Sequence, residues 1–125
     1  MRTRHPWLLA FAAALFACEV DAEEGDSPDP EPSPAEFCET VPLITWETFG
    51  EGFLTTHCQG CHASAALNRH DAPEVFTFDT EQDAVKWIGA ILSVATGEEP
   101  TMPPQGGPSD EDRERLRIWL ECFAQ

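Results

Sequence analysis

Apolar residues recur at helical spacing in three stretches of this chain. Trp46, Phe49, Phe53 and Leu54 share one face of a helix that Thr45 caps and that carries Glu47 in its first turn. Val85, Ile88, Ile91, Leu92 and Ala95 form a second stripe with Trp87 at its edge. Asp79 or Thr80 opens that helix, Glu81 and Asp83 occupy its first turn, and Gly97 stops it. Leu116, Trp119, Leu120 and Phe123 fall at i, i+3, i+4 and i+7, after a Ser109 cap with Asp112 three residues on. Arg113, Arg115 and Arg117 alternate by two along this last helix. They are expected on a solvated surface, in ion pairs that contribute little. No βαβ pattern is evident, and the predicted class is all-α.

Two N-terminal stretches break the helical pattern. Arg2 and Arg4 precede an almost wholly apolar run from Trp7 to Ala17, too short to span a bilayer as a mature helix. Residues 1–17 are therefore expected to be a secretory signal. The run ends Leu15-Phe16-Ala17-Cys18, which resembles the lipobox of bacterial lipoproteins. The resemblance implies cleavage before Cys18 and lipidation of its sulfur. Residues 18–36 then hold eight acidic residues and prolines at positions 28, 30, 32 and 34, with almost nothing apolar. Such a segment cannot bury enough surface to offset its ordering entropy, and it is expected to be an extended, disordered tether. The folded domain is expected over 37–125.

Charge changes the picture in one respect. Seven basic against 23 acidic residues give a formal net charge of −16. That balance argues against nucleic acid and against direct adhesion to anionic lipid, and it suits a basic partner protein. A chain of 125 residues is enough for one small domain. Eight Phe and four Trp are many for this length and would serve both a compact core and the lining of an apolar pocket.

The candidate chemistry sits in Cys58-Gln59-Gly60-Cys61-His62, a C-x-x-C-H motif and the attachment signature for c-type haem. Each thiol adds across one vinyl group of haem. The two intervening residues let one turn present both sulfurs, and His62 follows as the proximal iron ligand. The distal candidates are Met102, His70, His57 and water. His57 would have to wrap around the ring edge, and His70 lies only eight residues past His62. Met102 lies forty residues past His62, beyond a full helix, on a loop stiffened by Pro103 and Pro104. It is the favoured ligand, and a thioether there raises the reduction potential relative to two histidines.

Five cysteines are present. With Cys18 assigned to lipid and Cys58 and Cys61 to haem, Cys38 and Cys122 remain, one at each end of the folded domain. In an exported, oxidising compartment such a pair is expected to form a disulfide.

From Thr45 to Phe123 the chain resembles the small monohaem c-type cytochromes. The resemblance rests on the C-x-x-C-H motif, on Met102-Pro103 in a loop before the last helix, and on an aromatic-rich C-terminal helix. It implies a cytochrome c-like helical domain with one covalent haem c on Cys58 and Cys61 and axial His62 and Met102. Gly50 and Leu54 sit where that family places the crossing of its first and last helices. Ala72-Pro73 sits where the family often has Gly-Pro, which implies that the Pro73 carbonyl orients His62. The expected function is one-electron transfer by a carrier held on the periplasmic side of a bacterial membrane or cell envelope through a lipid anchor. It would meet a redox partner with a basic docking face and have no catalytic activity of its own. The competing readings are a haem-based binding or peroxidase-like module with an open distal position, a thiol–disulfide oxidoreductase using Cys58 and Cys61, and a zinc site built on Cys58, Cys61 and His62.

Overall fold

Ser33 opens the first helix, α1 (Pro34–Thr40). Its hydroxyl accepts from the Glu36 N–H at 3.4 Å, and the Glu36 carboxylate accepts from the Ser33 N–H at 2.9 Å and from its hydroxyl at 2.6 Å. These bonds hold the Glu36 carboxyl below the usual carboxylate range. The computed structural model describes residues 31–124. The expected signal, Cys18 and most of the tether lie outside the described residues. At its far end the expected tether is three residues too long, because Pro34, Ala35 and Glu36 are helical. Ser33-Pro34-Ala35-Glu36 is a capping box with proline at the first helical position. Inside a proline-rich acidic run, that signal passes for more of the same composition.

Of the described residues, 54% are helical and none lies in a strand, so the domain is all-α. None of the α1 residues is buried, and seven residues cannot sustain a helix alone. The Cys38–Cys122 disulfide fastens α1 to the last helical segment, with the two Cα atoms 5.4 Å apart and a sequence separation of 84. In the chain-entropy account a loop of that length contributes about 4–5 kcal/mol. The Arg117 guanidinium adds a contact over the Phe37 ring, 4.8 Å from its centroid.

Thr45 caps the next segment as its sequence predicts, although its reciprocal partner is Thr48 rather than an acid. A π-helical turn, Trp46–Gly50, runs into α2 (Glu51–His57). Phe49, Phe53 and Leu54 are buried, and Trp46 packs against them. Cys58 then joins α2 to a single turn, α3 (Gln59–His62).

The second apolar stripe forms two helices rather than the one expected. Thr80 caps α4 (Glu81–Lys86) through a capping box with Asp83. Trp87 leaves helical geometry at φ −116°, ψ 19°, and α5 (Ile88–Ala95) follows. The Trp87 ring packs against Phe76, centroids 4.5 Å apart and planes tilted by 57°. Packing that half-buried aromatic pair against the core overrides the local preference for a continuous helix. Ala84, outside the predicted stripe, is fully buried. Gly97, at φ +82°, takes the left-handed conformation that ends a helix without steric cost.

Ser109 caps α6 (Asp110–Ile118), which continues into a second π-helical turn, Trp119–Phe123. Leu116 and Trp119 are fully buried and Leu120 nearly so. No helix among the described residues is long and apolar enough to cross a membrane.

Trp119 fixes how the last helix crosses the first part of the core. A Cβ at Gly50 would stand 2.8 Å from Trp119 Cζ2, closer than real Cβ contacts allow. The indole therefore lies against bare backbone at Gly50. Replacing Gly50 with alanine should overpack this crossing and cost about 1–3 kcal/mol, read as a lower urea midpoint. The control is Gly52→Ala in the same helix, where an added Cβ meets nothing within 4 Å. That change should be neutral or slightly stabilising.

Candidate cofactor site

A cavity of about 480 Å³ opens between the α2–α3 turn, the loop from Arg69 to Phe78, α5 and the segment following Thr101. Its size lies within the roughly 300–1,000 Å³ of small-molecule and cofactor sites, and its lining is mostly apolar. Cys58, Cys61, His62 and Met102 all line it. The backbone explains the first three. Both the Cys61 and the His62 N–H donate to the Cys58 carbonyl, at 3.1 and 2.9 Å. One helical turn therefore spans the motif, and positions i, i+3 and i+4 share a face.

Both thiols are free and half-buried. Burial pushes the Cys58 thiol up to about 12, opposed in part by the Arg113 charge and reinforced by Cys61. A thiol that attacks disulfides sits in an environment that lowers its pKa. Cys58 sits in the reverse.

His62 is fixed from three directions. Its Nδ1 lies 3.1 Å from the Phe76 carbonyl oxygen, its own carbonyl accepts from the Phe78 N–H at 2.8 Å, and its ring stacks against Phe78 with centroids 5.0 Å apart. A proton on Nδ1, donated to the Phe76 carbonyl, leaves Nε2 with the lone pair needed to bind a metal. The resemblance had implied the Pro73 carbonyl for this role. Instead the Pro73 carbonyl closes a turn with the Phe76 N–H at 3.1 Å and accepts from Arg69 Nη2 at 3.0 Å. That turn delivers the Phe76 carbonyl to the imidazole.

Arg69 is a site residue that the sequence did not announce. Its guanidinium donates to the carbonyls of Ala63, Ala72, Pro73 and Phe76 at 2.6, 3.3, 3.0 and 3.0 Å. The loop it gathers includes His70 and Asp71 at φ 48° and 66°, a left-handed pair without glycine, of the strained kind that surrounding contacts must hold. His70 and His57 also line the cavity, so all three protein candidates for a distal ligand border the same space. His57 packs on Phe53, centroids 4.9 Å apart, and a Cβ added at Gly107 would stand 3.5 Å from its Nδ1.

Met102 is exposed, at 39%, but its backbone is fixed. Its N–H donates to the Val94 carbonyl at 2.8 Å, and its carbonyl accepts from Arg113 Nη1 at 2.8 Å. The same Nη1 donates to the Ala95 carbonyl at 2.7 Å. The expectation that Arg113 is solvated was wrong, since only 7% of it is exposed. Arg115 and Arg117 do lie on the surface, paired with Asp112 at 3.7 Å and with Glu114 and Glu121 at 2.6 and 2.5 Å. A signal was present: Arg113 falls three residues before Leu116, in line with the apolar face.

Among the described residues no group of three or more His, Cys, Asp or Glu side chains is arranged to hold a bare metal ion. The chain matches no family model, no curated protein and no solved structure.

Replacing Arg113 with methionine would strand the Ala95 and Met102 carbonyls, and hydrogen bonds to charged groups contribute about 1.5–3 kcal/mol. We expect a stability loss of that size by denaturant unfolding. Arg115→Met, on the exposed face, should cost less, about 0.5–1 kcal/mol, for one surface ion pair and a contact over the Phe49 ring.

Proposed function

We propose that this chain is a c-type cytochrome, a one-electron carrier holding a single haem covalently on Cys58 and Cys61, with His62 and Met102 as axial ligands. The observation that carries the reading is the meeting of these four residues on one mostly apolar cavity, three from a single turn and the fourth from a loop forty positions away. The donor set fits the group. Two free thiols three residues apart suit two vinyl additions, an imidazole oriented through Nδ1 suits the proximal side, and a thioether on a pinned backbone suits the distal side. The cytochrome c-like fold is part of the same proposal.

Haem, when bound, supplies an iron that shifts between ferric and ferrous states. Everything else falls to this chain. Cys58 and Cys61 hold the macrocycle, and the Phe76 carbonyl keeps His62 in one tautomer and orientation. Phe53, Ile91 and Val94 present apolar surface to the cleft and lower its dielectric. In each cycle one electron arrives from a reduced partner protein and leaves to an oxidised one, with no bond made or broken. With His62 and Met102 both holding the iron, no coordination position would be left for a substrate, and the chain would act as a carrier rather than an enzyme.

The net charge of −16 suits docking to basic redox proteins in short-lived, salt-sensitive encounters. The Cys38–Cys122 disulfide suits an oxidising compartment outside the cytoplasm. The lipobox-like Cys18 and the acidic stretch after it suit a domain tethered by lipid to the periplasmic side of a bacterial membrane.

The test is an absorption spectrum of protein made in a host with haem-attachment machinery, after denaturing extraction of free haem. Haem retained by the polypeptide and a weak far-red sulfur-to-iron band in the ferric form are expected. Met102→Ala should abolish that band, lower the potential and admit carbon monoxide to the ferrous protein. A chain that retains no haem overturns the proposal. Retained haem with an unchanged potential in Met102→Ala removes Met102 as ligand and favours the open-site or bis-histidine alternative.

A further inference from the structure

Four arginines fall among the described residues, and they divide into two kinds. Arg115 and Arg117 pair with carboxylates on the surface of α6. Arg69 and Arg113 form no ion pair among the described residues, although the chain has more than three acidic groups for every basic one. Both turn their guanidinium groups onto backbone carbonyls instead. Those carbonyls belong to the loop whose Phe76 oxygen faces His62, and to Met102 and the end of α5 beside it.

On the His62 side, Arg69 Nη2 donates at 3.0 Å to the Phe76 oxygen that also lies 3.1 Å from His62 Nδ1. On the Met102 side, Arg113 Nη1 donates to the carbonyl of Met102 itself and to that of Ala95, which also lines the cavity. Carbonyl dipoles solvate a guanidinium without cancelling its net charge, whereas a carboxylate partner would cancel it. One such charge, on Arg69, therefore borders the cleft, and a second, on buried Arg113, lies behind the Ala95 and Met102 backbone that lines it.

Resting on the haem reading of the cleft, we propose that Arg69 and Arg113 are paired positioning residues. Each holds one ligand segment by its carbonyl, and together their charges keep the site's reduction potential above the value that the acidic chain would otherwise set. Accepting an electron lowers the charge of the site by one, and a nearby cation stabilises that state most where water and salt are excluded. Arg69 acts in a second way through the shared oxygen. A carbonyl already accepting from a guanidinium accepts less strongly from the imidazole N–H. The hydrogen bond that makes the imidazole a more basic ligand is thereby weakened. Both effects favour the reduced state.

The experiment is a spectroelectrochemical titration of the haem-loaded full chain beside Arg69→Gln, Arg69→Lys, Arg113→Gln and Arg113→Lys. Both glutamine variants should titrate at lower potential, and both lysine variants should recover most of the difference. Arg69→Gln should keep the far-red sulfur-to-iron band, because Arg69 lies on the His62 side, whereas Arg113→Gln should weaken it. A purely structural role would be lost equally in both replacements, since lysine cannot reproduce the guanidinium fork. Wild-type potentials in the glutamine variants, or lysine variants that fall as far, overturn the proposal while the haem reading stands. If Arg113→Gln does not assemble, the Arg69 pair decides alone, because Arg69 is only half-buried at the cavity. A wild-type chain without covalent haem overturns both.

Discussion

Trp119 lying on the bare backbone of Gly50 is the contact on which the rest of the domain depends. It brings the π-helical turn at the end of α6 directly against the one that leads into α2. Because α2 continues into the C-x-x-C-H turn, this crossing also sets where Cys58, Cys61 and His62 stand relative to the C-terminal helix. The indole Nε1 has no hydrogen-bond partner among the described residues, so shape and apolar contact, with Trp46 stacked nearby at 6.0 Å, govern its seat. Widened turns on both sides of one crossing are a local accommodation of a very large side chain against a very small one.

Around this frame, the loops that border the cleft are gathered by guanidinium groups. The segment from Ala63 to Thr77 has no regular secondary structure and no buried residue, yet it supplies the carbonyl that orients His62. Arg69 makes this possible by gathering four carbonyls to one side chain. Arg113 does the same on a smaller scale where α5 ends and the Met102 segment begins. A planar fork of five donors with no acceptor is well matched to that task.

What could be read from the sequence followed from periodicity and caps. The aromatic face after Thr45, the Thr80 and Ser109 caps, and the burial of Leu116, Trp119 and Leu120 are all dictated by nearest neighbours along a helix, and they are legible without tertiary information. The Cys38–Cys122 pairing was legible by accounting for every thiol. The failures are tertiary in origin. The break at Trp87 depends on Phe76, eleven residues earlier and in a loop. The choice of Phe76 over Pro73 depends on how a turn directs its carbonyls, and single-residue pattern carries no trace of that. Arg113 was misplaced because charge was weighed above its position on the apolar face, and a buried arginine satisfied by carbonyls leaves no acidic partner in the sequence to betray it. Helix α1 was masked by composition, its capping box hidden in a run that otherwise reads as tether.

The disulfide has a mechanical consequence. Tension arriving along the chain from the N-terminal side reaches Cys38 within α1 and crosses there to Cys122. Cys122 belongs to the turn that Trp119 and Leu120 anchor in the core. The load thus enters the domain at its most firmly seated element. The weak connector between α1 and Thr45 stays slack, and the segments that border the cleft lie off the line of force.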